Sequence, residues 1–151
     1  MIFYSVDEWI TVGGPVPPEM LSAIGDVALA FAAVDVIVSM ALCLKNSPSI
    51  VTVLDPKIFR CDLRKKLKRL GREYPGLNEK ARAISDLSTE RNDLMHGYVW
   101  ESVWSATEQR TRYSVSNFGR GRSRDLSIKT LNELATNAMQ FALEVENLIS
   151  N

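Results

Sequence analysis

Apolar residues recur at two spacings along this chain, and the switch between them divides it. Through residues 18–96 and again through 127–149 they return every three or four positions, the helical period. Between residues 98 and 118 they alternate with polar residues one by one, the strand period.

Pro17-Pro18-Glu19 opens the first helix, expected over about 18–45, with proline in its first turn. From Val27 to Leu44 it is apolar except for Asp35 and Ser39. Such a run reaches the length of a transmembrane span. Asp35 in mid-run, the many alanines and the lack of an aromatic or basic belt at both ends favour a buried helix instead. That helix belongs at the centre of a bundle or at a dimer interface, with no membrane involved. Asp35 shares a face with Ile24, Phe31, Val38 and Leu42, where a carboxylate needs a cationic or hydrogen-bonding partner unless the face is open.

A loop at 46–56 is punctuated by Asn46-Ser47-Pro48 and Asp55-Pro56. The second helix, from about Pro56 to Glu73, has Phe59, Leu63, Leu67 and Leu70 as its apolar stripe. After the turn Tyr74-Pro75-Gly76, a third helix runs from about Leu77 to His96, and its stripe is Leu77, Ala81, Ile84, Leu87, Leu94 and Met95. Gly97 can take the left-handed conformation that ends a helix. The alternation that follows predicts a β-hairpin with strands near 98–105 and 110–118, a connecting loop around 106–109, and a mobile basic loop at 119–124. Ser127 caps the last helix, to about Ile149, with Leu131, Leu134, Ala135, Ala138, Phe141, Ala142, Val145 and Leu148 as its stripe. Residues 1–16 read as irregular, with a short helical turn around Asp7 to Ile10 that Gly13-Gly14-Pro15 breaks. The sum is one mainly all-α domain over 1–151, an antiparallel four-helix bundle with a hairpin and basic loop inserted at about 98–125.

Composition adds little until charge is placed along the chain. The formal net charge is zero. Yet Lys57 to Arg72 carries eight basic residues against the single acid Asp62, and Arg110 to Arg124 carries five with no acid between them. Thirteen of the 18 basic residues therefore sit in two segments, a distribution that suits a polyanionic partner. A pair of solvated faces would account for it too. Arg64, Lys68, Arg72, Arg120 and Arg122 are the candidate nucleic-acid contacts. The two cysteines, Cys43 and Cys61, form no C-x-x-C, and one histidine supplies no zinc site by itself. They read as reduced thiols of a cytoplasmic protein. The N-terminus shows no basic start before an apolar run, so no signal peptide is expected.

The candidate chemistry lies at the end of the third helix, in Glu90-Arg91-Asn92-Asp93-Leu94-Met95-His96-Gly97-Tyr98, which holds the only histidine. Arg91 falls inside the apolar stripe, between Leu87 and Leu94. A core-facing arginine needs a buried carboxylate, an anion or a partner chain. Asp35 is the natural carboxylate. Asn92 and His96, four apart, line the edge of the stripe. His96 sits in the last turn, where the carbonyl ends favour an imidazolium.

Arg91-Asn92, three residues, then His96 resembles the R-x4-6-H signature of the HEPN family of small helical proteins. Tyr98 extends the likeness to R-x4-H-x-Y. Many members of that family are metal-independent ribonucleases that act as dimers. The resemblance implies an endoribonuclease, the toxin or defence component of a bacterial or archaeal system, with RNA as substrate, no cofactor and a homodimeric site. It also implies an antitoxin, the nucleotidyltransferase type being one possibility, with Tyr98 as the residue it would modify. The hairpin departs from the family's toxins. On this reading Arg91, His96 and Asn92 are catalytic, and Asp35 and Tyr98 support them. Histidine serves as acid or base near neutral pH, and arginine grips phosphate oxygens in bidentate fashion. The alternative is a non-enzymatic HEPN-like module for dimerisation or for nucleotide or protein binding. A nucleic-acid-binding adaptor acting through the basic helix is the third reading.

Overall fold

The computed structural model describes residues 4–6, 9–12, 16–46, 55–104 and 111–151. The chain is mainly helical. Helix α1, Pro18–Asn46, is the longest at 29 residues and its buried side includes Val27, Phe31, Val34, Val38 and Leu42. It packs most extensively against α5, Ile128–Ser150, and also against α3, Leu63–Glu73, and α4, Asn78–His96. By length and composition Pro18–Lys45 would pass for a membrane span, and 44% of its most apolar window is buried inside the fold.

The helix expected from Pro56 to Glu73 is interrupted. A short α2, Pro56–Phe59, ends before Cys61, and α3 starts afresh at Leu63. Two aspartates account for the break. The Asp55 carboxylate accepts from the Lys57 N–H at 2.9 Å, and Asp62 accepts from the Arg64 N–H at 3.0 Å. Each therefore caps its own helix and places a negative charge at an N-terminus. A similar side-chain cap starts α5, where Ser127 and Thr130 bond reciprocally. The α5 stripe is buried as expected at Leu131, Leu134, Ala138, Phe141, Ala142 and Val145, whereas Leu148 stays exposed.

Five strands form one antiparallel sheet in the order β1-β2-β3-β4-β5. The hairpin read from the sequence is its centre. It consists of β3, Tyr98–Trp104, and β4, Thr111–Asn117, paired from Tyr98↔Ser116 to Val103↔Thr111. The loop expected at 106–109 and most of the one at 46–56 lie outside the described residues. The basic loop expected at 119–124 is instead a tight turn and a strand. Gly121, at φ 61°, turns the chain, and β5, Arg122–Leu126, pairs with β4. Leu126 is buried and anchors that strand. The N-terminal segment, expected to be irregular with a helical turn, contributes β1, Tyr4–Val6, and β2, Trp9–Val12. Trp9-Ile10-Thr11-Val12 are strand-forming residues that pair with β3, from Trp9↔Trp104 to Val12↔Glu101, about ninety positions away in sequence.

Helix α4 meets the sheet at Gly97. This glycine is extended, at φ −92° and ψ 168°, and not left-handed. Its requirement is steric. A Cβ there would lie 2.2 Å from the Asp93 carbonyl oxygen and 2.6 Å from Val115 Cγ2. The bare backbone lets the last turn of α4 press directly on β4.

Candidate functional site

Helix α4 presents its motif to two different surroundings. On one side Arg91 and Asn92 line a cavity of about 290 Å³, which also receives Asp35 of α1, Ser88 of α4, and Asp62 and Arg64 at the start of α3. Phe31 and Leu63 supply apolar wall. Asn92 accepts from Arg91 Nη1 through Oδ1 at 2.9 Å, so the amide steadies the guanidinium beside it. Arg91 Nε is buried without a hydrogen-bond partner, and among the described residues no carboxylate pairs with this arginine. A half-buried guanidinium that lines the cavity and, among the described residues, lacks a carboxylate partner retains charge for an anion.

The pairing expected between Asp35 and Arg91 is not formed. Asp35 is ion-paired with Lys66 Nζ, which also donates to Ser39 Oγ at 2.9 Å and reaches the Phe59 carbonyl at 3.5 Å. The lysine, 2% exposed, satisfies the carboxylate before Arg91 can. Asp35 and Arg91 therefore share a cavity without sharing a bond. Arg64 crosses to α4, with Nε donating to Ser88 Oγ at 3.4 Å and Nη2 donating to Thr89 Oγ1. One candidate nucleic-acid contact is thus fixed at the cavity's edge.

On the other side, Asp93 anchors the sheet. Its carboxylate is 2% exposed and accepts from Arg122 Nη2 at 3.0 Å, Arg124 Nη2 at 2.8 Å and Asn117 Nδ2 at 3.3 Å. Arg124 also approaches Glu90 at 3.5 Å. Arg122, expected to contact nucleic acid, therefore has its charge engaged within the fold, while Arg120 stays exposed on the turn before it.

His96 occupies the last turn of α4 and is exposed. It does not line the Arg91 cavity. Tyr98 starts β3 opposite Ser116, and its side chain lies outside the described residues. Lys68 and Arg72 are exposed on α3. The structure thus gathers Arg91, Asn92, Asp35 and Arg64, and leaves His96, Arg72 and Arg120 apart from them.

Two buried charges escaped the sequence reading, Lys66 and Asp93. Lys66 carried a usable signal, because Leu63, Lys66 and Leu70 are three and four apart and so share one helical face. Among the described residues no group of His, Cys, Asp and Glu side chains could hold a metal ion. Compared with protein-family models, curated proteins and solved structures, the chain matches none.

Proposed function

We propose that the chain is a metal-independent endoribonuclease of HEPN type, working as a homodimer with a composite site. The observation that carries this reading is the Arg91 cavity. It joins Arg91 and Asn92 to Arg64, keeps the guanidinium without a carboxylate among the described residues, and opens beside an exposed apolar stripe of α1. Ala32 lines the cavity, and Leu29, Val36 and Met40 continue from it as exposed residues on the same helical face.

The chemistry follows from what transesterification needs. A base takes the proton of the 2′-hydroxyl, cations offset charge on the phosphorane oxygens, and an acid protonates the leaving 5′-oxygen. Arg91, steadied by Asn92, binds the phosphate. One histidine per chain fills one proton-transfer role, and two-fold symmetry supplies the second. In this reading α1, α3, α4 and α5 constitute the family's antiparallel four-helix bundle. The protein acts in the cytoplasm as a toxin or defence component. An antitoxin, for example a nucleotidyltransferase, would modify Tyr98.

The test is cleavage of single-stranded RNA in EDTA by the purified protein. A 2′,3′-cyclic phosphate product is expected, and Arg91→Ala and His96→Ala should each abolish it. One observation favours the alternative, a non-enzymatic HEPN-like module for dimerisation or for nucleotide or protein binding: His96 stands outside the cavity that holds Arg91. A wild type that cuts no RNA, free of any antitoxin, makes the module the better reading.

A further inference from the structure

Helices α3 and α4 enclose a second cavity, of about 360 Å³, further along their seam. Arg64, Lys65 and Lys68 line it from α3, and Arg82, Asn78 and Ser85 from α4. Leu67 and Ala81 form its apolar floor. No carboxylate lines it, and among the described residues none of Lys65, Lys68 and Arg82 forms a salt bridge. Lys65, Lys68 and Arg82 are exposed, so their charges face water and hold no place in the core.

This cavity adjoins the Arg91 cavity, because Arg64 lines both. Along α4 the shared wall runs through Asn78, Ala81, Arg82, Ser85, Ser88 and Asn92, at three- and four-residue spacing on one face. At 1.5 Å per residue that wall is roughly 20 Å long. The cations are shared between the two cavities, Arg91 lining the first, Lys65, Lys68 and Arg82 the second and Arg64 both, a spread that suits an extended polyanion. Packed helices stand about 8–10 Å apart, so the groove between them takes one strand and not a duplex.

We propose that the α3–α4 groove binds the phosphodiester backbone of single-stranded RNA next to the scissile phosphate. The apolar floor accepts a sugar or base face, and the cations grip the backbone, a contact that carries no sequence information by itself. This proposal rests on the ribonuclease reading for its register and extends the contact surface to Lys65 and Arg82.

The test uses a short 2′-O-methyl RNA strand, which binds but cannot be cleaved through its own hydroxyl. Binding is read by anisotropy against salt concentration for the wild type and for Lys68→Gln/Arg82→Gln. Both residues are exposed, and matched thermal unfolding shows that the variant is folded. Loss of two single-strand phosphate contacts should weaken binding several-fold and reduce the salt slope by about 1.4. An RNA duplex of equal length should bind more weakly than the strand. An unchanged slope, a duplex that binds as tightly, or a wild type that does not bind the strand overturns the proposal. A wild type that binds the strand with this salt behaviour yet cleaves no RNA leaves the groove standing and removes the ribonuclease reading. Cleavage and binding both untouched by the double substitution do the reverse.

Discussion

Lys66 and Asp35 form an ion pair across the seam of α1 and α3, between an ammonium 2% exposed and a carboxylate 44% exposed. The two partners therefore differ in what their loss leaves behind. Asp35→Asn strands a buried cation with only Ser39 Oγ and the Phe59 carbonyl to satisfy it. Breaking a fully buried pair costs about 3–5 kcal/mol, and the exposure of Asp35 lowers that to about 1–3 kcal/mol. Lys66→Met leaves a carboxylate that water already reaches, and should cost less than Asp35→Asn. Urea unfolding of the two variants checks the order. Equal losses would refute the asymmetry, and a loss below about 0.5 kcal/mol for Asp35→Asn would show that the pair does not stabilise the fold.

Asp93 sets the opposite asymmetry. Here the carboxylate is buried, and Arg122 and Arg124 are more than a third exposed. Arg122→Ala/Arg124→Ala leaves a buried anion with Asn117 alone, for an expected loss of about 3 kcal/mol or more. Asp93→Asn frees two arginines to turn toward water and should be milder. Because Asp93 sits one turn before Gly97, the double variant should also loosen the contact between α4 and β4. Hydrogen exchange at Val115 and Ser116 would report this. Protection unchanged in the double variant would mean the sheet is held by other contacts.

How much of this was legible in the sequence depends on how local each cause is. The four long helices were readable because a 3.6-residue period and its proline and glycine stops are local signals, and so was the β3–β4 hairpin. The break at Cys61-Asp62 was written in a residue that caps helices, but a continuous stripe through Phe59 and Leu63 masked it. Lys66 lay in phase with Leu63 and Leu70, so the partner of Asp35 could have been found by treating a lysine as core. Asp93 could not. Its partners on β4 and β5, Asn117, Arg122 and Arg124, lie 24, 29 and 31 residues downstream. Nor could β2, whose pairing with β3 spans about ninety residues and gives the local β1–β2 pairing a sheet to extend. Gly97 stands out in the sequence as a helix stop, but what requires it is a close approach to Val115, a tertiary fact that no local signal carries.

Tyr74 provides a pH test of the α1–α3 contact. Its hydroxyl donates to the Ala41 carbonyl at 3.2 Å. Burial, with the Glu73 carboxylate adding to it, raises its pKa above the usual tyrosine value. The sign follows from linkage. The folded state keeps the proton longer than the unfolded state, so the stabilisation is fully present below the ordinary tyrosine pKa, about 10, and is lost as pH rises through the folded pKa. Tyr74→Phe should be about 1 kcal/mol less stable than wild type at neutral pH, for the missing hydrogen bond. The gap should close above about pH 10. A gap that is constant across that range would mean that the hydroxyl does not feel its burial.

The proposed composite site makes the sharpest demand. Leu29, Val36 and Met40 recur at seven- and four-residue spacing on α1, and Leu29 is 72% exposed. Across a shallow groove Leu29 faces the exposed Met139 and Leu143 of α5. A second copy seated on this stripe would border the Arg91 cavity through Ala32. Leu29→Arg/Val36→Arg should then yield folded monomers, read by sedimentation, and abolish RNA cleavage without touching Arg91 or His96. A mixed dimer of one wild-type and one His96→Ala chain tests the division of labour itself. If one histidine is the base and its symmetry mate the acid, removing either should cost far more than half the rate, as with groups that act as a unit. A mixed dimer cutting at half the wild-type rate or better would show that each chain works alone. Double-arginine variants that stay dimeric and active would place the interface elsewhere on the molecule.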